Sequence, residues 1–103
     1  MSRPIRRVAT SILLHGDRIL ILKRSAAVGS FQHHWSGVSG FVEPGEEPLE
    51  TSQREVEEET GMKATELIPM GFIWTTPGFT NERIWLHLAT GLLKSQQNLD
   101  PDE

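Results

Sequence analysis
The chain has 103 residues, 37% of them hydrophobic and 23% charged, with a net charge of −4 and no cysteine. That length suits one domain around one modest core. The acidic balance excludes nucleic-acid binding through a broad basic surface, and the lack of thiols excludes disulfides, thiol catalysis and cysteine–zinc sites. No apolar run is long enough for a membrane span or a secretion signal, so a cytoplasmic protein is expected. No repeat, linker or low-complexity segment breaks the chain.

Residues 1–7 are basic and contain Pro4, which reads as a frayed lead-in. Arg3, Arg6 and Arg7 could meet an anionic substrate, but a solvated terminus is the simpler expectation. Residues 8–14 and 18–23 are rich in branched aliphatics and flank His15, Gly16 and Asp17, a hairpin pattern. Ile19 and Ile21 alternate with Leu20 and Leu22, which predicts a second strand buried on both faces. Residues 26–34 read as loop, and His33 and His34 lack a third histidine at ligand spacing. Residues 35–42, WSGVSGFV, predict one short glycine-punctuated strand, with Trp35 in the core or in a pocket wall.

The acidic centre of the chain follows. Between residues 40 and 62, GFVEPGEEPLETSQREVEEETGM, lie eight of the fourteen acidic residues and a single basic one, Arg54. Gly40 and Pro44-Gly45 make a loop, Pro48 suits the first turn of a helix, and Gly61 suits its stop. A helix from residue 48 or 49 to 60 puts Glu55, Glu58 and Glu59 on one face, with Leu49, Gln53, Val56 and Thr60 on the side that packs. Arg54, beside Glu55 and four residues before Glu58, can fix a carboxylate rotamer. Glu43, Glu46 and Glu47 approach from the preceding loop. So many like charges destabilise an empty site and suit a hard divalent cation, Mg²⁺ or Mn²⁺.

Two further strands are expected at residues 67–74 and 84–90, joined by the turn-rich loop TTPGFTNER. Trp74, Phe79 and Trp85 bracket this loop. Each could stack on a base, with core packing the simpler reading. The chain then turns polar and ends in QQNLDPDE.

The acidic stretch resembles the signature of the Nudix hydrolase family, G-x5-E-x7-R-E-U-x-E-E-x-G-U with U aliphatic, in Gly40, Glu46, Arg54-Glu55-Val56, Glu58-Glu59, Gly61 and Met62. The resemblance implies an α/β fold: a Nudix-type α/β/α sandwich with a mixed sheet, here without the helix that usually follows the last strand. An uncovered sheet face would favour a homodimer. It also implies hydrolysis of a nucleoside diphosphate linked to another moiety, with Glu55, Glu58, Glu59 and the Gly40 carbonyl holding Mg²⁺ or Mn²⁺. Arg54 would orient a carboxylate, and Glu46 would hold a further ligand or a metal-bound water. Glu55 is one candidate base. The acidic tail ending in Glu103 resembles the base-bearing loop of ADP-ribose hydrolysing relatives and supplies another.

The segment TPGFTNERIWLHLATGL resembles the region after the box in ADP-ribose pyrophosphatases, which favours an ADP-ribose-like substrate. The candidate substrate contacts are Arg24, Trp35, Pro77, Phe79 and Glu82. The same box would serve hydrolases of oxidised nucleoside triphosphates, dinucleoside polyphosphates or RNA ends, and a non-catalytic nucleotide-binding module is the rival of another class. The intact glutamates argue against that module.

Overall fold
The computed structural model describes residues 5–23, 35–75 and 81–95. Strand β1 (Arg6–His15) turns at Gly16 and Asp17 into β2 (Arg18–Leu20), and β3 (Leu22–Lys23) follows. Next come β4 (Trp35–Ser36), β5 (Val38–Phe41), the helix α1 (Pro48–Thr60), β6 (Met62–Thr75) and β7 (Glu82–Lys94).

β1 is the centre of the sheet. It pairs with β7 in parallel, Arg6 opposite Glu82 through Leu13 opposite Ala89. On its other edge β5 pairs antiparallel along residues 8–11 and β2 along residues 13–15. β6 closes the sheet beyond β7, antiparallel, with a register shift between Pro69 and Phe72. One parallel pair among antiparallel ones makes the sheet mixed. β3 and β4 form a separate two-stranded piece.

The pleat alternates along β1. Ala9, Ser11 and Leu13 are fully buried against α1, while Val8, Thr10 and Ile12 point to the opposite face and stay partly accessible. Leu13, Val38, Val56 and Ala89 are the buried apolar core, flanked by Leu20, Leu22, Met62, Ala64, Leu67 and Leu92. Ser52 Oγ and His87 Nδ1 lie 2.7 Å apart and join the helix to β7. Burial there pushes the His87 imidazole below its ordinary pKa.

Several expectations change. Arg6 and Arg7 belong to β1 rather than to a frayed lead-in. Residues 18–23 are not one strand buried on both faces: Ile21 interrupts it, and Ile19 is 60% exposed. Residues 35–42 divide at Gly37, where a Cβ would sit 3.0 Å from the Ser11 carbonyl oxygen. Trp35 is 61% exposed, with the Lys23 ammonium 5.9 Å over its ring, and is not a core residue. Trp74 is exposed too, and Trp85 only half-buried. β6 and β7 both extend beyond their expected limits.

The helix packs through Thr51, Ser52, Glu55 and Val56, whereas Leu49 and Gln53 are exposed. With Val56 as the one apolar side chain in that stripe, short polar residues do the packing, which an apolar pattern does not reveal. Among the described residues one helix covers one face of the sheet, and no helix is long and apolar enough to cross a membrane.

Candidate active site
The acidic loop folds back before the helix begins. Gly45, at φ 80°, completes the Pro44-Gly45 turn in a conformation that favours glycine. The Glu46 amide donates to the Glu43 carbonyl at 2.9 Å, and the Glu43 amide donates to Glu46 Oε1 at 3.2 Å. Pro48 then opens α1, and the Glu47 amide is capped by Glu50 Oε1 at 3.1 Å. Gly61, at φ 72°, ends the helix by donating to the Glu57 carbonyl.

Arg54 is the hub of the carboxylates. Its Nε donates to Glu46 Oε2 at 3.0 Å and its Nη2 to Glu46 Oε1 at 3.1 Å, a bidentate grip. Its Nη1 donates to Glu55 Oε1 at 2.8 Å and to Glu58 Oε2 at 3.3 Å. Nη2 also reaches the Phe41 carbonyl at 3.5 Å and lies 3.7 Å from Glu43 Oε1. Thr51 Oγ1 donates to Glu46 Oε1 at 2.6 Å. The Arg54 hydrogen bonds hold the Glu46 carboxyl down to about 2, well below its usual range. In return Glu46 keeps Arg54 still more firmly protonated.

Glu55 is 8% exposed and lies against β5. A Cβ built on Gly40 would overlap its carboxylate, so only glycine allows this approach. Glu59 stands one turn beyond Glu55 on the same side of α1 and is half-buried. The structure therefore brings Gly40, Glu46, Arg54, Glu55 and Glu58 together. Glu46 turns both carboxylate oxygens to Arg54. Among the described residues, no three histidine, aspartate or glutamate side chains converge at metal-binding distance, because the carboxylates gather on Arg54. Their chemistry still fits a hard cation: anionic oxygens on one helix face beside a glycine backbone.

Of the expected substrate contacts, Trp35 and Glu82 fall among the described residues. Arg24, Pro77, Phe79 and Glu103 lie outside the described residues, as do His33 and His34. Trp35 stands on β4, and Glu82 accepts from Thr75 Oγ1 at 3.0 Å across the β6–β7 ladder. A concavity lined by Leu14, His15, Thr65 and Gly91 includes neither Trp35 nor Glu82.

One cluster joins Trp74 and Trp85, which the sequence singles out, to Arg83 and Phe72, which it does not. The Arg83 guanidinium carbon lies 4.3 Å from the ring centres of both Phe72 and Trp74 and 5.3 Å from that of Trp85. Arg7 lies 5.3 Å over the other neighbour, Trp85. The available signal was two alternations on adjoining strands, Phe72-Ile73-Trp74 facing Arg83-Ile84-Trp85, which meet only once the register is known.

A family model described as the NUDIX domain matches residues 5–103. The chain belongs to the Nudix family. It is 43% identical over 67 residues to an ADP-ribose pyrophosphatase of Bacillus subtilis, covering 63% of this chain and 36% of that protein. It is 31% identical over 101 residues to the ADP compounds hydrolase NudE of Escherichia coli, covering 98% of this chain and 53% of that one. A crystal structure of an ADP compounds hydrolase superposes with a TM-score of 0.82 at 21% identity, over 95% of this chain and 52% of the other, a likeness of fold. The chain thus spans about a third to a half of the length of these relatives. The mixed α/β sheet with its single described helix is the Nudix arrangement the box implied.

Proposed function
We propose that this Nudix chain hydrolyses the pyrophosphate bond of nucleoside diphosphate derivatives with Mg²⁺ or Mn²⁺, and that its substrate is ADP-ribose or a close analogue. The observation that carries the reading is the Arg54 hub: one guanidinium holds three box glutamates in fixed rotamers beside a glycine that leaves room for one of them. The substrate class is supported by the names of the two relatives and by the PGFTNE segment.

Glu55, Glu58, Glu59 and the Gly40 carbonyl would hold the cation. A bound divalent ion supplies neutralisation of the phosphate oxygens and a water of lowered pKa. The chain's own residues do the rest. Arg54 offsets the mutual repulsion of the glutamates and keeps Glu55 and Glu58 aimed. Glu46, ionised and spent on Arg54, anchors that guanidinium rather than a cation. Glu55, shielded against Gly40, is one acceptor for the proton of the attacking water, and Glu103 remains the other candidate.

The test is product release from ADP-ribose, a dinucleoside polyphosphate and an oxidised nucleoside triphosphate, each with Mg²⁺ and with chelator. Metal-dependent release is expected, fastest from ADP-ribose. Glu58→Gln should lower kcat by on the order of a hundredfold or more while leaving the circular dichroism unchanged. A folded Glu58→Gln protein with full turnover would overturn the assignment.

A further inference from the structure
The Arg83 cluster lies on the same face of the sheet as the glutamates. Gly40, which meets Glu55, is opposite Ala9, and Ala9 is opposite Trp85, which is opposite Phe72. This row crosses β5, β1, β7 and β6, so Trp85 stands about 10 Å, two strand spacings, from Gly40. The next row on the same face contains Arg7, Arg83 and Trp74. A nucleoside monophosphate is of comparable length.

The cluster's charge is uncompensated among the described residues. Among the described residues every ion pair belongs to Arg54, and neither Arg7 nor Arg83 meets a carboxylate. These two arginines are direct neighbours in the parallel ladder, a like-charge pair. Arg83 Nε is buried without a hydrogen-bond partner. A guanidinium fixed on aromatic rings is pre-organised to receive an anion and presents a flat surface that a base can cover. The rings of Phe72 and Trp74 remain 49% and 41% exposed.

Resting on the hydrolase reading, we propose that Arg83, Phe72, Trp74 and Trp85, with Arg7 beside them, form the subsite for the nucleoside half of the substrate. The base stacks on the ring-and-guanidinium platform, and its adjoining phosphate faces Arg7 and Arg83. The platform thereby selects for substrates with a planar base, a preference the box itself does not supply.

Tryptophan fluorescence of the full chain, titrated in chelator with AMP, ribose 5-phosphate and inorganic phosphate, tests the subsite apart from hydrolysis. Saturable quenching by AMP is expected, with ribose 5-phosphate binding on the order of tenfold more weakly. Arg83→Lys keeps the charge but loses the plane, and Phe72→Leu keeps all tryptophans. Each should weaken AMP by on the order of tenfold and raise KM for ADP-ribose similarly, with kcat little changed. Glu58→Gln should bind AMP as the parent does. Unchanged AMP binding in both folded platform variants, or equal binding of ribose 5-phosphate and AMP, would overturn the subsite and leave the hydrolase reading intact. AMP binding that depends on Arg83, in a chain that hydrolyses nothing, would support the subsite and overturn the hydrolase reading instead.

Discussion

Arg54, on the helix, and Arg83, on β7, lie on the same side of the sheet and meet opposite surroundings. Arg54 is laced to Glu46, Glu55 and Glu58, and every donor on it has an acidic partner. Arg83 touches three rings and no carboxylate among the described residues. The first arginine offsets a charge excess that the fold itself has gathered. The second leaves its own charge over, on a surface that is apolar and flat. The comparison shows why the residue type alone says little: the neighbours decide whether a guanidinium completes the protein or awaits something else.

The largest effect should come from breaking the Arg54 side. Arg54→Ala leaves three partly buried glutamates facing one another, and urea unfolding should show a loss of about 2–4 kcal/mol. A loss no greater than that of an Arg83 variant would erase the distinction between the two.

Acid should sharpen the contrast next. The Glu46 carboxyl is held at about 2 in the fold against 4.5 for the free group, chiefly by Arg54. Between those values the unfolded chain binds the extra proton, so stability present above about pH 4.5 is lost as the pH falls toward 2. After allowance for solvent screening the Glu46 share is on the order of 1 kcal/mol. Glu46→Gln should remove that share of the acid limb in urea midpoints taken from pH 5 downward. Arg83→Met should keep the limb whole.

The smallest effect belongs to Arg83→Met itself. No ion pair is broken, and a thioether covers the same rings, so the change in unfolding free energy should stay below about 1 kcal/mol. A larger loss would mean that Arg83 serves the fold as Arg54 does.

The sequence made the box legible because its chemistry is local. Gly40, Glu46, Arg54, Glu55 and Glu58 lie within one loop and one helix, and the spacing of a helix brings them together without help from the rest of the chain. The helix limits, the Gly16-Asp17 hairpin and the Gly61 stop follow from equally local rules. What was not legible depends on pairing across the chain. The packing face of α1 is polar, so its hydrophobic pattern pointed to Leu49 and Gln53 instead of Thr51 and Ser52. Trp35, Trp74 and Trp85 looked like core because aromatic residues usually are, but Trp35 is exposed on the separate β3–β4 piece and Trp74 and Trp85 lie around Arg83. That Arg7 and Arg83 are neighbours could be known only from the parallel register of β1 with β7.

That parallel register also sets when the molecule can come into being. The strand at the heart of the sheet leaves the ribosome well before its parallel partner, since β1 spans Arg6–His15 and β7 spans Glu82–Lys94. At roughly 5–20 residues per second of synthesis, β1 waits for several seconds with an unsatisfied edge. The hairpin with β2 can form early and shelter part of it, while the pairing of β1 with β7 is a late event with a long loop to close.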